Sequence, residues 1–329
     1  MDNQLRPLNL GEILDGTAAL YRNRFLLFAG ISSVFAAAML AIQLLYLRSL
    51  ILLGYPDVTA HWQWGTAAVA VFEGLAVWLL AGLSIVAINR AVAWVYLNQP
   101  ATIRAAVTSV LPQAKRYLWL MTVVGFRAWA PLVMLYVALF AILFSVMPHG
   151  FLAYPGVAPQ TPENPVAMMA ASLGFLVLFP VMSLAVVYGV WMSLRYSLSV
   201  PSCVVEGLTA KQAVLRSIHL SEGSRWRIFV LGLLVGAVRM VLVVLAALPS
   251  FLFVIKHIGQ PVPIGWMIVS QCCNFLINTL IGPIYSIGLT LFYYDQRIRK
   301  EGYDIEWMMQ AAGLIPEQAG SGLAAGSLN

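Results

Sequence analysis

Three times along this chain an amphipathic segment runs into a basic residue followed by an aromatic one, and two long apolar segments come next. The junctions are Arg24-Phe25, Arg116-Tyr117 and Arg225-Trp226. Internal repetition constrains a fold more than a single motif does, because every copy must form the same unit and the copies must pack together. The pattern predicts three repeats, each consisting of an interfacial amphipathic helix followed by a two-helix hairpin.

Six stretches are long enough to cross the hydrocarbon core of a bilayer, which takes about 20 helical residues. The chain is 61% apolar and 10% charged, whereas soluble domains are about 45–50% apolar and about 25% charged. A soluble fold of 329 residues cannot bury that much apolar surface. We therefore predict an all-α integral membrane protein with six transmembrane helices. The predicted spans are 25–47, 65–96, 118–147, 166–196, 228–254 and 266–294.

The predicted spans form one domain that is followed by a short tail. The six-span membrane domain covers residues 1–310, with repeats at about 8–98, 100–200 and 205–300. The tail, residues 311–329, is rich in Gly, Ala and Ser and nearly free of charge. Such a composition cannot bury enough apolar surface to fold, so we predict that the tail is disordered.

Lysine and arginine are distributed unequally between the two sides of the predicted membrane region. Almost all the lysines and arginines outside the spans lie in the two termini and in the loops on the same side of the membrane as the termini. The loops on the opposite side hold only Arg48 and Lys256. By the positive-inside rule, both termini are predicted to be cytoplasmic. The net charge of +6 then reflects a basic inner face that suits anionic membrane lipids, and it requires no nucleic-acid partner.

The predicted cytoplasmic segments repeat apolar residues at steps of three and four. The first segment contains Leu10, Ile13 and Leu14, and similar stripes run through 103–117 and 210–220. Each stripe is typical of a helix lying in the membrane interface. Asn9 with Glu12, and Thr209 with Gln212, resemble capping boxes that would start two of these helices.

Two interpretations of these helices stay open: they anchor the transmembrane helices, or they grip lipid headgroups or a membrane-protein partner. For the second, the predicted contact residues are Arg24, Arg116, Lys211, Arg225, Arg227 and Arg297.

Three charged residues fall inside the predicted spans. Counted from the span ends at 1.5 Å per residue, Glu73, Arg127 and Arg239 all lie roughly halfway across the membrane. An unpaired charge at this depth costs about 2.5–3.5 kcal/mol, which favours pairing or a water-filled cavity. We predict an intramembrane charge cluster of these three residues, and two interpretations of it stay open. One is a pathway for an anionic substrate or a proton, and the other is a structural ion pair that fixes how the repeats meet.

Three segments of the chain carry a family resemblance. They are LRPLNLGEILDG at 5–16, VEG at 205–207 with GSRWR at 223–227, and YYDQRIRKEGYD at 293–304. They resemble the bacterial membrane-domain family of glycerophosphoryl diester phosphodiesterase, and the resemblance covers nearly the whole chain. It implies a multi-span module of the bacterial cytoplasmic (inner) membrane, which either stands alone or is fused to a phosphodiesterase barrel. The barrel itself is absent from this sequence.

The sequence carries none of the catalytic or metal-binding motifs that define the common enzyme classes. The His-Arg-Gly of the phosphodiesterase barrel does not occur, and neither do the nucleophile elbow, the P-loop or the His-Glu-x-x-His pattern. His219 and Glu222 are three residues apart and are predicted to make a solvated contact on one helix face. We therefore predict no catalytic residues, no metal site and no cofactor.

Three functional hypotheses follow from these patterns. The first is a non-enzymatic membrane module that binds lipid or a membrane partner through its basic cytoplasmic face. The second is a secondary transporter or flippase for an amphiphilic anion, for which repeated architecture and intramembrane charges are typical. The third is a membrane-bound hydrolase of glycerophosphodiesters, which the missing catalytic motifs disfavour. The sequence favours them in this order.

Overall fold

A computed structural model describes residues 7–52, 63–146, 165–258, 260 and 262–302. Throughout this part of the chain the regular elements are helices and no strand is present, which confirms the predicted all-helical fold. The tail predicted to be disordered, residues 311–329, lies outside the described residues. The helices are α1 (Leu10–Asn23), α2 (Phe25–Leu52), α3 (Gln63–Tyr96), α4 (Ile103–Val110), α5 (Ala114–Val146), α6 (Pro165–Arg195), α7 (Ser199–Val205), α8 (Ala210–Ser221), α9 (Arg225–Lys256), α10 (Ile264–Leu280) and α11 (Gly282–Glu301).

Six helical segments within these ranges are long and apolar enough to cross a membrane, judged by length and composition. This matches the predicted number and is consistent with a multi-pass membrane protein. The relation of the segments by a threefold repeat stays a prediction. The segments are Phe25–Leu52, Ala68–Tyr96, Ile103–Leu139, Leu178–Val205, Arg225–Lys256 and Ile264–Glu301.

Bulky apolar side chains remain exposed along these segments. Leu26 on α2 is 80% exposed, and Phe126 on α5 and Phe179 on α6 are exposed to a similar extent. Soluble monomers rarely expose large contiguous apolar patches. Lipid tails, by contrast, are as apolar as leucine and surround such side chains without penalty. The outer surface of the bundle therefore fits a hydrocarbon environment.

Helix α11 lies at the centre of the packing at one end of the bundle. It contacts α1, α3, α8, α9 and α10, and its Ile287, Phe292, Tyr293 and Tyr294 side chains are almost completely buried. The short helices α1, α4, α7 and α8 surround this end, which also carries most of the charged side chains. We call it the basic end and use that name below.

The predicted span 266–294 is interrupted between α10 and α11. The break occurs because Pro283 has no backbone N–H and cannot continue the helical hydrogen bonds. Carbonyl groups freed at the end of α10 find other donors. The Tyr21 hydroxyl donates to the carbonyl oxygen of Leu280 at 2.7 Å, and the Ser32 hydroxyl donates to that of Asn278 at 2.9 Å. Burial raises the pKa of Tyr21, so this hydroxyl stays protonated and remains a donor.

The amphipathic helices begin where the sequence predicts. At the start of α1, the Asn9 side chain accepts from the Glu12 backbone N–H at 2.9 Å, and the Glu12 carboxylate accepts from the Asn9 N–H at 2.7 Å. At the start of α8, the Thr209 backbone N–H donates to the Gln212 side chain at 3.1 Å. These contacts satisfy N–H groups that the first helical turn leaves without partners.

The apolar stripes of these short helices face the protein. On α1, Ile13 and Thr17 are buried, and the helix packs on α11. On α8, Val214 and Leu220 are buried, and the helix packs on α5, α7 and α11. This favours the interpretation that the short helices anchor the long ones. Helix α7, which is buried beside α3, is an element that the sequence does not predict.

Candidate functional site

Asp295 is the centre of a buried charge network at the basic end. Its carboxylate accepts hydrogen bonds from the Leu8 backbone N–H at 2.7 Å, from Arg299 Nε at 3.0 Å and from Arg227 Nη1 at 3.4 Å. Arg227 and Arg299 also donate to the Leu8 carbonyl oxygen, at 2.8 and 2.5 Å. The Asp295 side chain is completely enclosed, so these donors replace the water that an ionised carboxylate needs. The network ties the segment before α1 to α9 and α11.

A second network is centred on Glu206, in the turn between α7 and α8. Arg216 Nε donates to both Glu206 oxygens, at 3.0 and 3.1 Å, and the Tyr293 hydroxyl donates to the same carboxylate. Arg216 also pairs with Glu301 at 2.5 Å. Burial lowers the pKa of Arg216, but the hydrogen bonds and charges of Glu206 and Glu301 outweigh it and raise the pKa above its ordinary value. Arg216 therefore stays charged and joins α8 to α11.

Three of the predicted contact residues make polar contacts inside the protein. Arg227 belongs to the Asp295 network. Arg297 Nε lies 3.2 Å from a Glu301 oxygen. Arg116 donates to the Gly207 carbonyl oxygen at 3.0 Å. Arg227 and Arg116 therefore link separate segments of the basic end, whereas the Arg297–Glu301 pair lies within α11. Their contact with headgroups or a partner stays a prediction.

The other three predicted contact residues lack a counter-ion in the described part of the protein. Arg24 and Lys211 are exposed. The Arg225 guanidinium lies 5.7 Å from the centre of the Trp191 ring, and the Arg195 guanidinium lies at the same distance from the same ring. The Nε atoms of both arginines are buried and make no hydrogen bond in the described ranges. Two cations thus share one indole ring without a neutralising carboxylate.

Sequence reasoning misses Arg195 and Trp191. A signal for the pair exists, since the two residues are four apart at the end of α6 and therefore lie on one helix face. Sequence reasoning also misses Asn278, which hydrogen-bonds to Arg239. A single uncharged amide in an apolar run gives no comparable signal.

The three predicted intramembrane charges occupy different places in the bundle. Arg239 Nη2 donates to Asn278 Oδ1 at 2.9 Å. Glu73 lies close enough to Tyr46 on α2 to interact with it electrostatically. The Arg127 side chain is exposed on α5. No hydrogen bond or ion pair of the described residues joins any two of these charges, so their action as one cluster stays a prediction.

Arg239 lines a cavity of about 420 Å³, which is enclosed by α2, α3, α9 and the α10–α11 break. Ligand pockets commonly have volumes of about 300–1,000 Å³. Counted from the helix starts at about 1.5 Å per residue, the α2 and α9 parts of the lining lie roughly 10 to 21 Å from the basic end, within a hydrocarbon core of about 30 Å. Glu73 and Arg127 do not line the cavity. Its polar lining consists of Ser32, Ser84, Arg239, Asn278, Tyr285 and Ser286.

Across the described ranges, no three His, Cys, Asp or Glu side chains are close enough together to hold one metal ion. The polar chemistry of the molecule is therefore best described by the two carboxylate networks, the arginine pair at Trp191 and the cavity at Arg239.

Comparison with protein-family models, curated proteins and solved structures gives no match for this chain. The resemblance to the phosphodiesterase membrane-domain family therefore rests on its three motif segments and stays a prediction. The structure does give those segments a shared physical role. The opening segment supplies Leu8, the middle segments supply Glu206 and Arg227, and the closing segment supplies Tyr293 and Asp295, and all of these meet in the two networks.

Proposed function

We propose that the protein is a non-enzymatic module of the bacterial cytoplasmic membrane that binds anionic lipid headgroups at its basic, cytoplasmic end. The pair Arg195 and Arg225 beside Trp191 carries the proposal. A guanidinium group without a carboxylate presents parallel N–H donors that match a phosphate. The indole ring between them is amphipathic, as is common for tryptophan at the membrane interface.

The start of α9 adds positive charge at the same place. This helix begins at Arg225, and its N-cap Ser224 makes no side-chain capping hydrogen bond. The N–H groups of Arg227 and Ile228 donate to the Ser224 carbonyl oxygen, which leaves those of Arg225 and Trp226 available to an anion within the described ranges. The aligned peptide dipoles place about half a positive charge there. Trp226, which is highly exposed, extends from the same turn into the surroundings.

A second cavity at the basic end supports headgroup contact at Arg24. Its volume is about 430 Å³, and the side chains of Arg24, Asn98 and Gln99 line it. Amide side chains can exchange hydrogen bonds with the hydroxyl groups of a lipid headgroup. The guanidinium can meanwhile bind the phosphate.

Lipid retention by the purified protein tests the proposal. Protein in detergent micelles is mixed with equal amounts of phosphatidylglycerol and phosphatidylethanolamine, and native mass spectrometry counts the bound molecules of each. We expect the double variant Arg195→Gln/Arg225→Gln to bind phosphatidylglycerol roughly thirtyfold more weakly. Each cation near an anionic lipid contributes about 1 kcal/mol, and about 1.4 kcal/mol corresponds to a factor of ten.

The matched control is the double variant Arg48→Gln/Lys256→Gln. It removes the same charge from exposed positions toward the other ends of α2 and α9. Phosphatidylglycerol binding should be unchanged in this variant. Equal losses in both double variants, or no loss in the first, would contradict a headgroup site at the basic end.

Orientation is part of the proposal, with the basic end and both termini in the cytoplasm. Single cysteines at Arg104 and Arg48 test it, after Cys272 and Cys273 are replaced by alanine and the buried Cys203 is kept. In intact spheroplasts, a membrane-impermeant maleimide should label Arg48→Cys and should leave Arg104→Cys unlabelled until the cells are opened. The reverse pattern would invert the assignment.

A second candidate function is transport or flipping of an amphiphilic anion. The cavity at Arg239 favours it, because substrate sites of secondary transporters lie near the membrane midplane beside discontinuous helices. The measurement is the transfer of a fluorescent anionic lipid between leaflets of proteoliposomes. A rate equal to that of protein-free vesicles would eliminate this function.

A further inference from the structure

We propose that the cavity around Arg239 binds the anionic end of a lipid with a small polar part, a single carboxylate or phosphate on a long apolar chain. The site lies away from the arginine pair at Trp191 and is independent of headgroup binding there. Three features carry the proposal: an under-compensated cation, a helix interrupted at the cavity, and an apolar lining that is continuous with the lipid-facing surface.

Arg239 lacks a counter-ion among the residues that the structure describes. Its hydrogen bond in the described part of the chain goes to the neutral Oδ1 of Asn278 at 2.9 Å, although a guanidinium group carries five N–H donors. No described carboxylate lies within ion-pair distance of it. An unpaired charge at this depth is costly, and a bound anion would offset that cost.

The interrupted helix supplies a second positive feature. Helix α10 ends at Leu280, and α11 begins at Gly282 without a side-chain cap. Both sides of this break line the cavity together with Arg239. The start of a helix inside a membrane favours an anion, because its dipole is positive there. Pro283 has no N–H and the Ile284 N–H donates to the Ile281 carbonyl oxygen at 3.1 Å, so the Gly282 N–H is the one left for an anion among the described residues of this turn.

The remaining polar groups also suit an anion. The hydroxyl groups of Ser84 and Tyr285 line the cavity, and neither makes a hydrogen bond within the described ranges. Both can donate to a carboxylate or a phosphate. The described lining contains no Asp or Glu that would neutralise the ammonium group of a zwitterionic headgroup. A ligand with one anionic group and no cation therefore fits best.

The apolar lining favours a lipid over a free ion. A hydrated anion would have to cross hydrocarbon to reach this depth, which is costly for any unpaired charge. An acyl chain, by contrast, can continue from the cavity along α9, where Val238 and Met240 are exposed on either side of Arg239. The apolar residues of the lining include Ala36, Met39, Val77, Ile85, Ile88 and Val235.

Equilibrium binding of radiolabelled dodecyl phosphate to the purified protein in maltoside micelles tests the site. The measurements use the Arg195→Gln/Arg225→Gln background, so that the basic end does not contribute. We expect saturable binding that Arg239→Gln weakens at least tenfold and that dodecanol does not displace. Arg127→Gln removes the same charge from an exposed position on α5 and should leave the affinity unchanged.

A cavity-filling pair keeps the test valid if Arg239→Gln fails to fold. A Cβ atom at Gly236 or at Gly125 would meet no atom within 4 Å, so a side chain can leave the backbone at both positions without a clash at Cβ. Gly236→Leu reaches into the cavity and should weaken dodecyl phosphate binding at least tenfold, whereas Gly125→Leu on α5 should not.

Four outcomes would overturn the proposal. Unchanged affinity for dodecyl phosphate in Arg239→Gln or in Gly236→Leu would show that the anion does not bind in the cavity. Equal weakening by Arg127→Gln would assign the binding to a cluster of charges. Displacement by inorganic phosphate alone would identify a free-ion site. A change of oligomeric state in Gly236→Leu, with dodecyl phosphate binding intact, would identify a protein interface.

Discussion

Replacing Asp295 with asparagine is expected to destabilise the folded protein by about 3 kcal/mol, within the range for breaking a buried ion pair by removal of one partner. Asparagine keeps the shape, but it leaves Arg227 and Arg299 without their shared anion and adds a donor toward them. Both arginines are partly exposed, so water compensates in part and the loss stays near the lower end of that range. Size-exclusion chromatography of heated samples in micelles measures the shift in apparent melting temperature.

Asp15→Asn is the matched control for this prediction. Asp15 is an exposed carboxylate on α1 without an ion pair in the described ranges, so its neutralisation should change the melting temperature little. Adding Arg227→Gln to Asp295→Asn should cost less than the sum of the two single changes, because the double variant leaves fewer unpaired charges buried. Strict additivity of the two substitutions would contradict the network.

Much of the helical architecture is predictable because its determinants are local. The length of the apolar runs predicts the spans. The predicted span 228–254, for example, lies within the helix Arg225–Lys256. The spacing of Asn9 and Glu12 predicts the start of α1. The division of the last span depends on more distant residues. Pro283 removes one helical donor locally, but the free carbonyl groups are satisfied by Tyr21 and Ser32, which lie far away in the sequence.

Whether a cation has an ion-pair partner is harder to predict than where each helix lies. Arg225 and Arg227 are two residues apart, and residue type makes them equal candidates for headgroup contact. Arg227 is paired because Asp295, 68 residues later, is placed against it. Arg225 lies near an indole ring on another helix and has no carboxylate partner among the described residues. Pairing is set by tertiary packing, which a charge count along the chain does not contain.

The same distinction applies to the intramembrane charges. Their depth follows from counting residues along a span, and the sequence therefore predicts Arg127 and Arg239 alike. Their surroundings depend on which side of the helix faces the bundle. Both arginines are exposed, but Arg239 donates to Asn278 and lines a cavity, whereas Arg127 does neither within the described ranges. The cavity itself depends on the α10–α11 break, so it could not be placed from the composition of α9.

Introducing leucine at Gly189 is expected to force α6 away from α5 and to prevent the bundle from reaching its native packing. A Cβ atom at this position would lie 2.8 and 2.9 Å from two ring carbons of Trp129 and 3.3 Å from the carbonyl oxygen of Ala128. Overpacking typically costs about 1–3 kcal/mol and sometimes more. Here the indole ring could rotate aside, but the backbone oxygen behind it cannot. Thermal stability in micelles should fall clearly below that of the unmodified protein.

Displacement of α6 should also affect lipid binding, because Trp191 and Arg195 lie on the same helix as Gly189. We therefore expect Gly189→Leu to weaken phosphatidylglycerol binding as well as stability. Gly125→Leu is the control: it makes the same substitution on α5, where no atom lies within 4 Å of the added Cβ. Since leucine forms helices better than glycine, this control should be as stable as the unmodified protein or more so. Equal stability of both variants would show that α5 and α6 do not approach each other at Gly189, and the placement of Arg195 beside Arg225 would then lose its structural support.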